Sequence, residues 1–251
     1  MLLHITIFLT LFLLLYFLGR QITQLIHNIS LLLTKNKKIS LSILLIFLLP
    51  GTIIHELSHF IVSTILFVPV GKISILPKIE DLPARPAGGP AGRQGEIVKA
   101  GSMHHADTDI VRRTAIGLAP IIIGLILIYL IGQLFLINFS FQLNPSRLTL
   151  YAFISYLLSL ISLSMFSSKK DLETTWFLAP ILIIAVLSLY VAGFRLNATK
   201  DLQSAITHLL SRLNTYLFIT AAINLIVFFA LKGMVLTLEK ILRRRVVSLK
   251  T

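Results

Sequence analysis

The chain has 251 residues, 56% apolar and only 13% charged, with a net charge of +13 and no cysteine. Soluble domains carry about 25% charged residues, so this composition excludes an ordinary soluble fold. The missing cysteines exclude a disulfide framework and a thiolate metal site, leaving His, Asp and Glu as strong ligands.

The apolar residues are clustered in long runs, and a run of about 20 residues crosses the hydrocarbon core as a helix. The basic residues sit between and after these runs, where Lys and Arg anchor helices to headgroups and set topology. They read as membrane contacts, not as a nucleic-acid surface.

Six spans are predicted in chain order. The first covers residues 1 to 19; it lacks a basic leader and a small-residue cleavage site, so it reads as a retained helix. Residues 20 to 38 form a polar, partly amphipathic connection ending in Lys35, Lys37 and Lys38. The second span runs from about Ile39 to Val68, with Pro50-Gly51 predicting a kink or local unwinding. The long polar segment 69 to 114 opens with VGKISIL, an alternating pattern that reads as a strand. Its middle, PARPAGGPAGRQG, reads as a mobile loop over about 81–95, and GEIVKAG as a second short strand. The remaining spans are Thr114 to Phe139, Leu148 to Phe166, Thr174 to Phe194 and Leu213 to Leu238. A basic tail, 239 to 251, carries Arg243, Arg244 and Arg245. The expected architecture is a single all-α polytopic membrane domain, with a small β-hairpin-like element after the second span.

The second span contains HELSH: His55, Glu56 and His59. On a helix, residues four apart lie on one face, so both imidazoles can reach one Zn²⁺. Glu56 then stands beside the metal, where it can take a proton from water. Three ionisable groups inside an apolar stretch cost several kcal/mol unless paired, hydrated or metal-bound. Zinc needs a third protein ligand and an open position. Counting crossings brings the turn MFSSKKDLETTW to the same membrane face, and Asp171, at a helix start, is the expected third ligand, with Glu173 as its backup. His104 and His105, with Asp107 and Asp109, form a second polar cluster that reads mainly as solvated loop; adjacent histidines point in different directions. His4, His27 and His208 fall at span edges.

From IIHELSHFIVSTILFVPVGKISILP onward the chain resembles the site-2 protease family of intramembrane zinc metalloproteases. In that family a β-hairpin-like segment follows the HExxH helix, then a Gly-Pro-containing helix, for which GLAPIIIG (Gly117, Ala119, Pro120, Gly124) looks like a variant. The family's third ligand is an Asp at a helix start two spans later, the place Asp171 occupies. The resemblance covers roughly residues 39–195. Lys170-Asp171-Leu172 stands here in place of the family's Leu-Asp-Gly, and no PDZ-like domain is present.

The resemblance implies one Zn²⁺ per chain and hydrolysis of peptide bonds in membrane-embedded or membrane-proximal substrates, with Glu56 activating the water. A substrate held as an added strand would lie along Lys72, Ile73, Ser74 and Ile75. Two other readings are a non-catalytic metal-binding membrane protein acting as chaperone or adaptor, and a zinc or proton transporter. A complete HExxH argues against the first, and the lack of internal repeats against the second. Six alternating crossings put the 69–114 segment, the Asp171 turn and the C-terminus on one face. That face would hold 15 Lys and Arg against 8 opposite, so the zinc face and the C-terminus are expected in the cytoplasm.

Overall fold

The computed structural model describes residues 1–74, 78–81, 96–99, 102–105, 108–138, 144–166, 184, 188 and 199–244. Ile75, Asp171, Glu173, the Pro/Gly-rich loop beyond Asp81 and nearly all of the expected fifth span lie outside them.

Five helices among the described residues are long and apolar enough to cross a membrane: α1 (Leu2–Thr34), α2 (Lys37–Ile65), α3 (Ile110–Asn138), α4 (Pro145–Ser164) and α5 (Lys200–Leu242). Their outward faces are apolar, with Phe17, Ile46, Ile137, Ile226 and Phe229 all more than half exposed. In water such surface would be a large unfavourable patch; against lipid tails it is the expected exterior. The chain is a membrane protein.

α1 is longer than the first apolar run suggests. Ile22, Ile26, Ile29 and Leu32 continue its buried stripe at helical spacing through the segment expected as a connection. The stripe packs on α5, and Ile29 and Leu32 meet Val235. α2 begins after Asn36, whose side chain accepts from the backbone N–H groups of Lys38 and Ile39, a standard cap. α1 and α2 fold back on each other, and the buried Ser40 hydroxyl binds both the His27 ring Nδ1 and its carbonyl, each at 3.0 Å. His27 is thus a helix–helix contact. α2 continues unbroken through Pro50, so no unwinding occurs at Pro50-Gly51.

α2 and α4 run parallel in a constant register. Phe47 meets Tyr156, Gly51 meets Leu160 and Ser164, and His55 meets Ser164. This is contact along rows of every fourth residue. α3 lies antiparallel to both, with His59 against Ile116 and Gly124 against Met165. Between α2 and α3 are four short strands, β1 (Val70–Ser74), β2 (Lys78–Asp81), β3 (Glu96–Lys99) and β4 (Ser102–His105). β1 pairs antiparallel with β4, and β2 with β3. Both β1 and β4 contact α2.

α1 and α5 run parallel along their length: the Asn214 side chain donates to the His4 carbonyl at 2.9 Å, while Val235 packs on Ile29 and Leu32. Six alternating crossings would make the last helix antiparallel to the first. In this sense the two ends of α5 lie on the faces opposite to those that six alternating crossings give.

If both helices cross, Leu2 and Arg244 emerge on opposite faces. The chain has no cysteine, so single cysteines at these positions can be labelled with an impermeant maleimide in oriented vesicles. We expect opposite accessibility; labelling of both from one face would rule out the parallel crossing.

Candidate metal centre

Gly51, His55, His59 and Ser63 recur every fourth residue of α2 and share one face. That face meets α4 on one side and α3 on the other. His59 is buried and His55 half-buried.

Each imidazole is held from a different helix. His55 Nδ1 lies 2.8 Å from the Ser164 carbonyl at the end of α4, and His59 Nδ1 lies 2.8 Å from the Ile116 carbonyl in α3. A carbonyl can only accept, so both Nδ1 atoms carry a proton, and in the neutral rings both Nε2 atoms present lone pairs. Those two Nε2 atoms lie 3.3 Å apart. Two lone pairs facing at that distance repel unless a proton or a cation is shared. Ligands at the Zn–N distance of 2.0–2.1 Å around a tetrahedral ion are about 3.3 Å apart, so the pair fits such an ion. Metal-binding histidines characteristically donate their second ring N–H to a carbonyl or carboxylate, as both do here.

The two acceptors are available for a structural reason. A carbonyl inside an α-helix is normally taken by the N–H four residues later. Four residues after Ile116 stands Pro120, which has no N–H, so the proline in GLAPIIIG leaves the Ile116 oxygen open to His59. Ser164 is the last residue of α4, where the final carbonyls lack intrahelical partners.

Glycines bring these helices close enough. A Cβ on Gly51 would stand 2.9 Å from Ser164 Cβ and 3.3 Å from Leu160 Cγ; a Cβ on Gly124 would stand 2.5 Å from Met165 Cβ. Small residues permit this backbone approach between helices in lipid. Here they admit the end of α4 between α2 and α3, and so place the Ser164 carbonyl against His55.

Glu56, next to His55 in sequence, is buried at 8% exposure. Among the described residues no group of three or more His, Cys, Asp or Glu comes together. Asp171 and Glu173 lie outside them, as does Ile75. Lys72, Ile73 and Ser74 belong to β1. His104 and His105 belong to β4. Asp109 caps α3: its Oδ1 accepts from the Arg112 N–H at 2.9 Å, and it pairs with the Arg112 side chain at 3.2 Å. The backbone acceptors at Ile116 and Ser164 had no counterpart in the sequence reading. Pro120, four residues beyond Ile116, was the one available sign.

Three substitutions test this support. Pro120→Ala returns an N–H to α3, which then competes for the Ile116 carbonyl, and we expect zinc affinity to fall roughly 10–100-fold with the helix retained. A chelator-competition titration reads this; an unchanged affinity would separate the Ile116 bond from metal binding. Gly124→Ala should destabilise by about 1–3 kcal/mol through overpacking against Met165. Gly233→Ala, where a Cβ meets nothing within 4 Å, should stabilise by up to about 1 kcal/mol. Thermal unfolding in detergent distinguishes the two, and equal effects would dismiss the close contact.

No protein-family model matches this chain, and no curated protein or solved structure is significantly similar to it.

Proposed function

We propose that the chain is a zinc-dependent intramembrane endopeptidase, cleaving peptide bonds of membrane-embedded or membrane-proximal substrates. The observation that carries this reading is the pair of Nε2 atoms 3.3 Å apart, each ring fixed through Nδ1 to a backbone carbonyl, with a buried carboxylate, Glu56, between them in sequence. His55 and His59 supply two ligands for one Zn²⁺ per chain, and Asp171 is proposed as the third, with Glu173 as the substitute. When bound, zinc polarises a carbonyl and acidifies water.

The chain's own groups then have distinct tasks. Glu56 accepts a proton from the attacking water and returns it to the departing amine. The His–carbonyl bonds fix the imidazoles in one tautomer. A substrate helix must unwind before attack, because its amides are already bonded within the helix. β1 is one strand of a two-stranded sheet among the described residues and contacts α2. We assign the backbone of Lys72 to Ile75 the role of receiving the unwound segment as an added strand.

Glu56→Gln retains the ligands and the shape but removes the base. We expect it to bind zinc like the parent and to lose peptide-bond cleavage, by a factor of about 10²–10⁴ for the acid–base contribution. Assay of both proteins in vesicles with a panel of single-span substrates reads this. Retained cleavage in Glu56→Gln would end the assignment of Glu56. A zinc-loaded parent that cleaves nothing in the panel would favour the non-catalytic metal-binding reading. His55→Ala and His59→Ala should each lose the metal; undiminished zinc in the double variant would place the ion elsewhere.

A further inference from the structure

Asn224, on α5, is fully buried in the bundle, and its amide is only half used. Its Nδ2 donates to the Ser162 hydroxyl at 2.7 Å, while its Oδ1 has no partner among the described residues. A buried amide oxygen left unpaired carries a cost that an apolar side chain of similar size would avoid. Adhesion between α5 and α4 alone would be better served by such a side chain. What the amide adds is direction.

Ser162 passes that direction into the end of α4. Its hydroxyl gives its one proton to the Ser159 carbonyl at 2.7 Å and receives the Asn224 N–H on a lone pair. Two residues on, Ser164 ends α4, and its carbonyl accepts from His55 Nδ1 at 2.8 Å. Among the described residues, these are the two hydrogen bonds that the last turn of α4 takes from other helices. Three glycines flank the same turn: Gly19 on α1 beside Leu163, Gly51 on α2 beside Ser164, and Gly124 on α3 beside Met165. Glycines allow close approach, but they do not fix rotation. Successive residues turn by about 100° around a helix, so Ser162 and Ser164 lie on opposite flanks of α4, one toward α5 and the other toward α2. A twist of the last turn that takes the Ser164 carbonyl away from His55 also carries Ser162 off Asn224.

We propose that Asn224 is a positioning residue for the metal centre: through Ser162 it fixes the last turn of α4, and with it the carbonyl that aims His55. Its effect on zinc rests on the metal reading of the histidine pair. The same helix supplies a matched comparison. Asn214 is also buried, donates through Nδ2 at 2.9 Å and has an Oδ1 without a partner among the described residues. Its acceptor is the His4 carbonyl, so its bond leads to α1 and not to α4.

The test uses the whole chain in detergent, with zinc affinity read by chelator competition and the histidine rings by nitrogen NMR of the zinc-free protein. Asn224→Ala should lower zinc affinity roughly 2–30-fold. Asn214→Ala should leave it unchanged, although both variants lose one buried bond and comparable thermal stability. Ser162→Ala should match Asn224→Ala, and the double variant should lose no more affinity than either alone. In the zinc-free protein, Asn224→Ala should shift the Nδ1 signal of His55 and spare that of His59, whose acceptor is on α3. Equal losses of affinity in the Asn224 and Asn214 variants, or none in either, would reduce Asn224 to a structural contact. Additive losses at Asn224 and Ser162 would break the route through Ser162. A parent that binds no zinc would end the metal reading, and the ring signals would then decide the role of Asn224. Equal shifts at His55 and His59, or none at either, would overturn it.

Discussion

A polar ring inside a membrane is aimed best by groups whose full hydrogen-bonding capacity is free. An interior carbonyl of an α-helix already accepts from its own chain and keeps only its second lone pair. The histidine pair depends on two exceptions: the Ile116 oxygen, relieved of its partner by Pro120, and the Ser164 oxygen at the end of α4. Without them His55 and His59 would have no fixed tautomer and no fixed direction. A HExxH sequence on α2 would then be two flexible imidazoles near a carboxylate.

The acceptors must also be brought within reach, and the helix surfaces decide that. α2 and α4 keep contact at every fourth residue from Phe47–Tyr156 through Gly51–Leu160 to His55–Ser164. An aromatic pair sets the spacing at one end, and a glycine lets the backbones converge at the other. On the opposite side Gly124 accommodates Met165, the residue after Ser164. The end of α4 is therefore held from both flanks by positions without a side chain. The buried Asn224–Ser162 bond, 2.7 Å long, ties the same stretch of α4 to α5.

The closeness of His55 and His59 was legible in the sequence, because residues four apart share one face of a helix. The helices α2, α3 and α4 were legible as apolar runs. Other features left weaker traces. Residues 20–38 read as a polar connection because Gln21, Gln24 and Asn28 dilute the run, yet the stripe Ile22–Ile26–Ile29 is what packs on α5. The sense of α5 rests on contacts more than 200 residues apart, such as His4 with Asn214, which no local pattern announces. Backbone acceptors are common to all residues, so Ser164 could not be singled out, and Pro50-Gly51 suggested a break where the structure uses the glycine for proximity.

The two anchoring carbonyls differ mechanically. Ile116 lies within the 29-residue α3 and is held by helix on both sides. Ser164 ends its helix and is held instead by packing, between Gly51 and the buried Met165 that meets Gly124. One imidazole is moored by continuous helix and the other by contacts between helices. For the proposed zinc, the two moorings would give unlike routes of release: the ring of His55 goes free when the contacts at the end of α4 part, while His59 keeps its place on α3.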